Sequence, residues 1–133
     1  MQFNPSVPIW LQIVTECQQR IVAGTWSPGQ RIPGVRDLAA ELGVNPNTVQ
    51  RALAELERDG LAYSERTSGR YVTNDHSQVE GLRKEIAAQA ADDYVSRGRG
   101  VGLRLGEAQA LLQERWKMHH PDDFAEPHEA SHG

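Results

Sequence analysis

The sequence predicts a mainly α-helical protein with a small β hairpin. Three observations carry this. Apolar residues recur at helical spacing from Ile9 to Leu56. A short glycine-led turn, "GVN" at 43–45, separates two of the helical stretches. The period then changes, and strand formers flank a turn-rich loop within 61–75.

The first helix is expected over residues 8–23. Pro8 suits its first turn, where a missing amide costs nothing. Ile9, Ile13, Cys17 and Ile21 follow i, i+4 spacing, Trp10 and Val14 widen the stripe, and Gly24 ends it. "TWSPGQRIPG" at 25–34 is a turn-rich connector, in which Arg31 and Ile32 have room for a short strand. In "VRDLAAEL", residues 35–42, Val35, Leu38, Ala39 and Leu42 share one face. Gly43 closes this helix, and the next runs from Pro46 to near Gly60. Its charged outer face reads as solvated surface. Leu61–Ser64 and Arg70–Thr73 read as strands joined by "ERTSG".

A second module follows. Val79, Leu82, Ile86 and Ala90 stripe a helix over 77–96, which "SRGRGVG" breaks with three glycines. A shorter helix over 106–118 carries Ala108, Leu111, Leu112 and Trp116. From His119 onward there is no period, and two prolines intervene. The expected organisation is therefore a first domain over 1–76, a two-helix region over 77–118, and a flexible tail over 119–133.

Bulk properties bound the function. A chain of 133 residues with 38% hydrophobic content supports one or two small domains. No apolar run approaches a membrane span, and "MQFNPSVPIW" lacks the features of a signal peptide. Cys17 is the single cysteine and is expected as a small buried hydrophobe. These features point to the cytoplasm. The net charge of −4 argues against a broad basic surface, though a local cluster can still act.

The helix pair at 35–60 is the informative part. Ala39 is small where the second helix must come close, and Gly43 supplies the permissive backbone of the turn. Val49 points back into the angle between the helices. This spacing suggests a helix-turn-helix, with a hairpin following it. Asn45 is placed to cap the second helix, and Pro46 fits its first position. Capping leaves Asn47 and Thr48 unexplained. At 100° per residue, Asn47, Gln50, Arg51 and Ala54 share an outward face with Thr48 at its edge, while Val49, Leu53 and Leu56 face inward. Amides, a guanidinium and a methyl are the groups that read base edges in the major groove. They sit at the end of the helix that docks in such motifs. Arg36 opens the preceding helix and can hold a phosphate or a guanine. Arg66 and Arg70 flank the hairpin loop, from which they would reach the sugar-phosphate backbone or the minor groove. Glu55, Glu57 and Asp59 lie at the far end of the helix.

The linked motifs "WSPGQRIPGVRDLA", "LERDGL" and "RTSGRYV" resemble the winged-helix domain of the GntR superfamily of bacterial transcription regulators, over residues 8–73. The remainder is similar to the short two-helix region of its YtrA-type branch, as is "VNPNTVQRAL". The resemblance implies a homodimer on a palindromic operator, held together by the C-terminal helices and commonly acting as a repressor. It carries family DNA contacts onto Arg36, Asn47, Thr48, Gln50, Arg66 and Thr67. Gly34 stands where many relatives have serine, so a side-chain cap is missing. Pro46 and Gln50 stand where many have arginine, and Gln50 would lean toward adenine. Thr67 replaces a glycine at the hairpin tip.

Other chemistries fit less well. No nucleophile–base set can be placed on opposed elements, so an enzyme is not expected. "GRGVG" lacks the lysine and the preceding strand of a phosphate loop. His119, His120, Asp122, Asp123, His128 and His132 match no closed zinc pattern, and neither a metal nor a cofactor is expected. Two helices beyond residue 76 are not expected to enclose a cavity of several hundred Å³ within one subunit. A small-molecule effector could still bind at the dimer interface, where Tyr94 and Trp116 are candidates to line it, against the simpler reading of core or interface packing. The competing reading is a winged-helix protein-interaction module that has given up DNA.

Overall fold

The computed structural model describes residues 1–124 and contains five α-helices, a two-stranded hairpin and a final 3-10 turn. The chain divides into two compact units, one over Met1–Ile86 and one beginning at Ala87. The helices are α1 (Ile9–Val22), α2 (Val35–Leu42), α3 (Pro46–Arg58), α4 (His76–Gly100) and α5 (Leu105–His119). The strands are β1 (Ala62–Glu65) and β2 (Gly69–Val72).

In the first unit, α3 packs on both α1 and α2. Ile13, Val14, Cys17 and Ile21 of α1 meet Leu38, Ala39 and Leu42 of α2 and Val49, Ala52, Leu53 and Leu56 of α3. Trp26, Ile32, Leu61, Ala62 and Val72 close this core. The inward stripe read from α3 is thus the buried one. Ile9 departs from expectation. It is 44% exposed, and Trp10 takes the packing position in that turn. Pro8 also sits just outside the helix, its extended ψ of 136° placing its carbonyl to accept from the amides of Leu11 and Gln12.

The turn between α2 and α3 works as its residues dictate. Gly43 has φ of 71°, a left-handed conformation that side chains resist. Its amide and that of Val44 both return to the carbonyl of Ala39. Asn45 then caps α3, its Oδ1 accepting from the Asn47 amide at 2.8 Å. Gly34 supplies no side-chain cap to α2.

The hairpin pairs antiparallel, with Tyr63 opposite Tyr71 and Ser64 opposite Arg70. The strand expected at 31–32 reduces to one bridge between Arg31 and Tyr71. Pro33 has no amide to donate, and the run is too short to form a ladder. Even so, Ile32 donates to the Arg70 carbonyl and Val72 to that of Gln30, so the connector is stitched along β2.

The first unit runs past position 76, the boundary expected from sequence. Val79 and Leu82 of α4 pack against its core, and Arg83 donates to the carbonyl of Val22. The stripe read over 77–96 fades further along, and Ala90 is exposed.

In the second unit, the break expected at 96–102 falls later. α4 continues through Arg97, Gly98, Arg99 and Gly100, and Gly102, with φ of 85°, ends the segment. Gly98 is buried because Leu103 folds against it; a β-carbon there would lie 3.4 Å from a Leu103 methyl. Glycine content alone marks this position as a helix break, yet α4 runs through it. The expected tail also begins too early at 119. α5 extends to His119, and a 3-10 turn spans Pro121–Phe124, where the Asp123 carboxylate accepts from the Trp116 indole at 2.6 Å. His128 and His132 lie outside the described residues.

Tyr94 donates its hydroxyl to the Ala108 carbonyl at 2.7 Å. Beside it, Tyr94, Val95, Gly98, Leu103, Leu105 and Ala108 line an apolar groove of about 410 Å³ between α4 and α5. It is an open groove and not an enclosed cavity, which two helices alone are not expected to form. Trp116 is not part of this groove. It lines a separate depression with Leu112 and Phe124. No helix among the described residues is long and apolar enough to cross a membrane.

Candidate nucleic-acid interface

The polar face of α3 is solvent-facing. Asn47, Gln50, Arg51 and Ala54 are exposed and Thr48 is half-buried, while Val49 and Leu53 on the opposite side are sealed. Asn47 uses only its backbone amide, in the cap, so its carboxamide is unspent by that bond. Arg36, in the first turn of α2, is exposed and forms no ion pair among the described residues.

Arg51 is held rather than free. Its guanidinium lies 4.0 Å from the centre of the Trp10 ring, a cation–π contact contributed by α1. Such contacts stabilise by about 0.5–1 kcal/mol at exposed sites. The planar group stays charged and can still pair through its edge.

The hairpin tip carries exposed Arg66 and Thr67. It is braced from below. Arg31 donates through Nε to the Ser68 carbonyl at 2.7 Å, and the Tyr71 hydroxyl donates to Ser68 Oγ at 2.8 Å. Tyr71 stacks on Tyr63 with ring centres 5.7 Å apart. Gly69, with φ of 115°, lies under the Arg31 guanidinium, where a β-carbon would come within 3.0 Å of Nε. Only glycine fits both constraints.

Arg70 does not extend from the hairpin as the sequence suggested. Its Nε donates to Glu57 Oε1 at 2.9 Å, and its Nη1 lies 3.3 Å from the amide oxygen of Gln50. The Ser64 hydroxyl donates to the same Glu57 oxygen. That hydroxyl, and then the guanidinium, hold the Glu57 carboxyl below its usual range. Glu57 is therefore not part of a solvated acidic end. It fastens the hairpin to α3 and offsets a positive charge beside the reading face.

The structure thus brings Gln50 and Arg70 together, sets Arg66 and Thr67 at the hairpin tip, and leaves Arg36 separate on α2. Sequence reasoning missed Arg31, Glu57 and Trp10. Glu57 lies seven residues after Gln50, two turns along the same face, so helical spacing carried its signal. Arg31 and Trp10 act across elements and left no local trace.

Three packed helices with a braced hairpin, and an exposed polar face on the third, define a winged helix-turn-helix of the DNA-binding kind. Comparison with known proteins gives the family. The model of the bacterial regulatory proteins of the gntR family matches residues 10–72. The transcriptional repressor YtrA of Bacillus subtilis is 38% identical over 93 residues, covering 67% of this chain and 72% of YtrA. A GntR family transcriptional regulator from Listeria monocytogenes has a similar structure, with a TM-score of 0.80 and 38% identity over 84% of this chain and 98% of that one. The DNA-binding domain of AraR, solved in complex with operator ORX1, aligns with a TM-score of 0.51 and 28% identity, over 55% of this chain and 93% of that one. The chain belongs to the GntR family of bacterial regulatory proteins; it is a transcriptional regulator and not an enzyme.

Proposed function

We propose that this regulator binds a palindromic operator as a homodimer and represses transcription in the cytoplasm. The observation that carries the reading is the exposed face of α3, where Asn47, Gln50 and the Trp10-braced Arg51 stand at the end that docks in such motifs. In this reading Asn47 and Gln50 meet base edges, with Thr48 at their margin. Arg36 and Arg51 meet phosphates or guanines, and Arg66 and Thr67 reach the backbone from the hairpin tip. Similarity to a protein named a repressor supports the direction of control, and similarity to an operator-bound domain supports the ligand.

Dimerisation falls to α4 and α5. Leu111, Leu112, Trp116 and Met118 of α5 are exposed, and Leu112 and Trp116, on one side of the helix, share a depression with Phe124. A small-molecule effector would occupy space at that interface, with Tyr94 and the groove beside it available.

The test is a mobility-shift titration on the promoter upstream of the protein's own gene, with random duplex as competitor. The expected result is a saturable complex, weakened by Gln50→Ala at that sequence and by Arg36→Ala on all sequences. Few phosphates are neutralised per subunit, so the affinity should fall only shallowly with salt. If random DNA competes as well as the promoter, the protein-interaction reading takes its place.

A further inference from the structure

Gln50 carries a carboxamide with two different ends. Its oxygen accepts and its NH2 donates, and a freely turning amide pairs best with adenine, which offers one acceptor and one donor in the major groove. Gln50 does not turn freely in this protein. The Arg70 guanidinium lies 3.3 Å from Oε1, and a guanidinium has donors only. A flipped amide would set donor against donor. Arg70 is itself fixed, 19% exposed, with Nε bonded to Glu57 and Ser64 bonded to the same carboxylate oxygen.

We propose that Arg70 decides which base Gln50 reads, by turning the carboxamide oxygen toward the hairpin and leaving the NH2 group to meet DNA. The inference rests on α3 being the recognition helix. A donor-first Gln50 matches an edge with two acceptors, and guanine presents N7 and O6 there. Adenine would oppose its own amino group to the Gln50 donor. Arg70 is in this account a positioning residue, Gln50 the reader, and Glu57 the anchor that keeps Arg70 in place.

The experiment is selection of duplexes from a random pool by the full chain, followed by competition between single-base variants at fixed salt. The position read by Gln50 is the one whose preference disappears in Gln50→Ala. There the wild type is expected to prefer guanine over adenine by about tenfold. Arg70→Met, which keeps the apolar stem and removes the donors, should swing the preference to adenine. Arg70→Lys should partly restore guanine. In a Gln50→Ala background Arg70→Met should change no base preference. Should Arg70→Met fail to fold, as judged by thermal melting, Glu57→Gln loosens the anchor with Arg70 present and should lower the guanine preference.

Wild-type preference for adenine at that position overturns the proposal. So does Arg70→Met weakening every sequence alike with a salt slope reduced by about one, which marks a phosphate contact. Loss of no base preference in Gln50→Ala overturns it while leaving operator binding intact. If the wild type enriches no duplex, operator binding itself falls and takes this inference with it.

Discussion

The two units of this chain treat their apolar residues in opposite ways. In the first, Leu53 and Leu56 of α3 are at most 1% exposed, and every helix closes on the same core. In the second, Leu112, Trp116 and Met118 of α5 are more than half exposed, and none of the residues of α5 is buried. The first unit contains enough opposing surface to satisfy its own hydrophobic stripes. The second has the stripes without the surface. Exposed apolar residues set along one helix mark a contact surface when they are contiguous, while scattered ones do not.

The largest expected effect lies in the closed unit. Leu53→Ala should cost about 2–5 kcal/mol, because it removes a buried side chain and leaves a cavity that the α1 and α2 residues around it fill only in part. Denaturant unfolding measures this. A loss under about 1 kcal/mol would show the core to be looser than its burial indicates. The contrasting change is Leu112→Glu with Trp116→Ala on the open surface. It should leave first-unit unfolding nearly unchanged while converting a dimer to a monomer in sedimentation. Operator affinity should then drop about a hundredfold or more, since the second half-site is no longer effectively intramolecular. A persistent dimer would move the interface off α5.

A third change sharpens the boundary between the units. A chain ending after Ile86 keeps Val79 and Leu82 on the core and should unfold cooperatively as a monomer. One ending after Asp75 loses both and should melt several degrees lower, by circular dichroism. Equal melting points would show that the start of α4 adds nothing to the core.

Smaller effects come from ionisation. Burial pushes the Cys17 thiol up to about 12 from 9, so the folded state holds its proton where the unfolded state releases it. That contribution to stability is complete below pH 9 and is lost as pH rises through 12. Cys17 should resist a thiol reagent at pH 8 until the chain is unfolded. Glu41 is lowered by the Arg20 guanidinium and Glu57 by Ser64 and Arg70. Their stabilisation is present above the ordinary carboxylate range and lost as pH falls through the depressed native values. Glu57→Gln should therefore flatten the acid limb of a stability–pH curve slightly.

What the sequence revealed and what it hid follow from the range of the interactions. α2 and α3 were legible to the residue or nearly so, because Asn45, Pro46 and Gly43 act on neighbouring backbone. The inward and outward faces of α3 were legible because period alone assigns them. Contacts between elements were not. Local sequence points Arg70 outward, since nothing near it says that Glu57, thirteen residues away, will hold it. Gly98 reads locally as a helix end, since only the packed structure shows Leu103 leaning on it. Ile9 was placed in the stripe by spacing, although the first turn of α1 lies at the margin of the core.

Trp10 and Arg51 bear on how such a surface binds at all. A long cationic side chain waving in water surrenders its rotamers when it docks, which costs about 0.5–1.5 kcal/mol per immobilised group. Resting on an indole, this guanidinium has already given up much of that freedom within the folded protein. An aromatic ring two helices distant in sequence thus raises affinity for DNA it never meets, and Trp10→Ala should be felt as faster dissociation with the bases read unchanged.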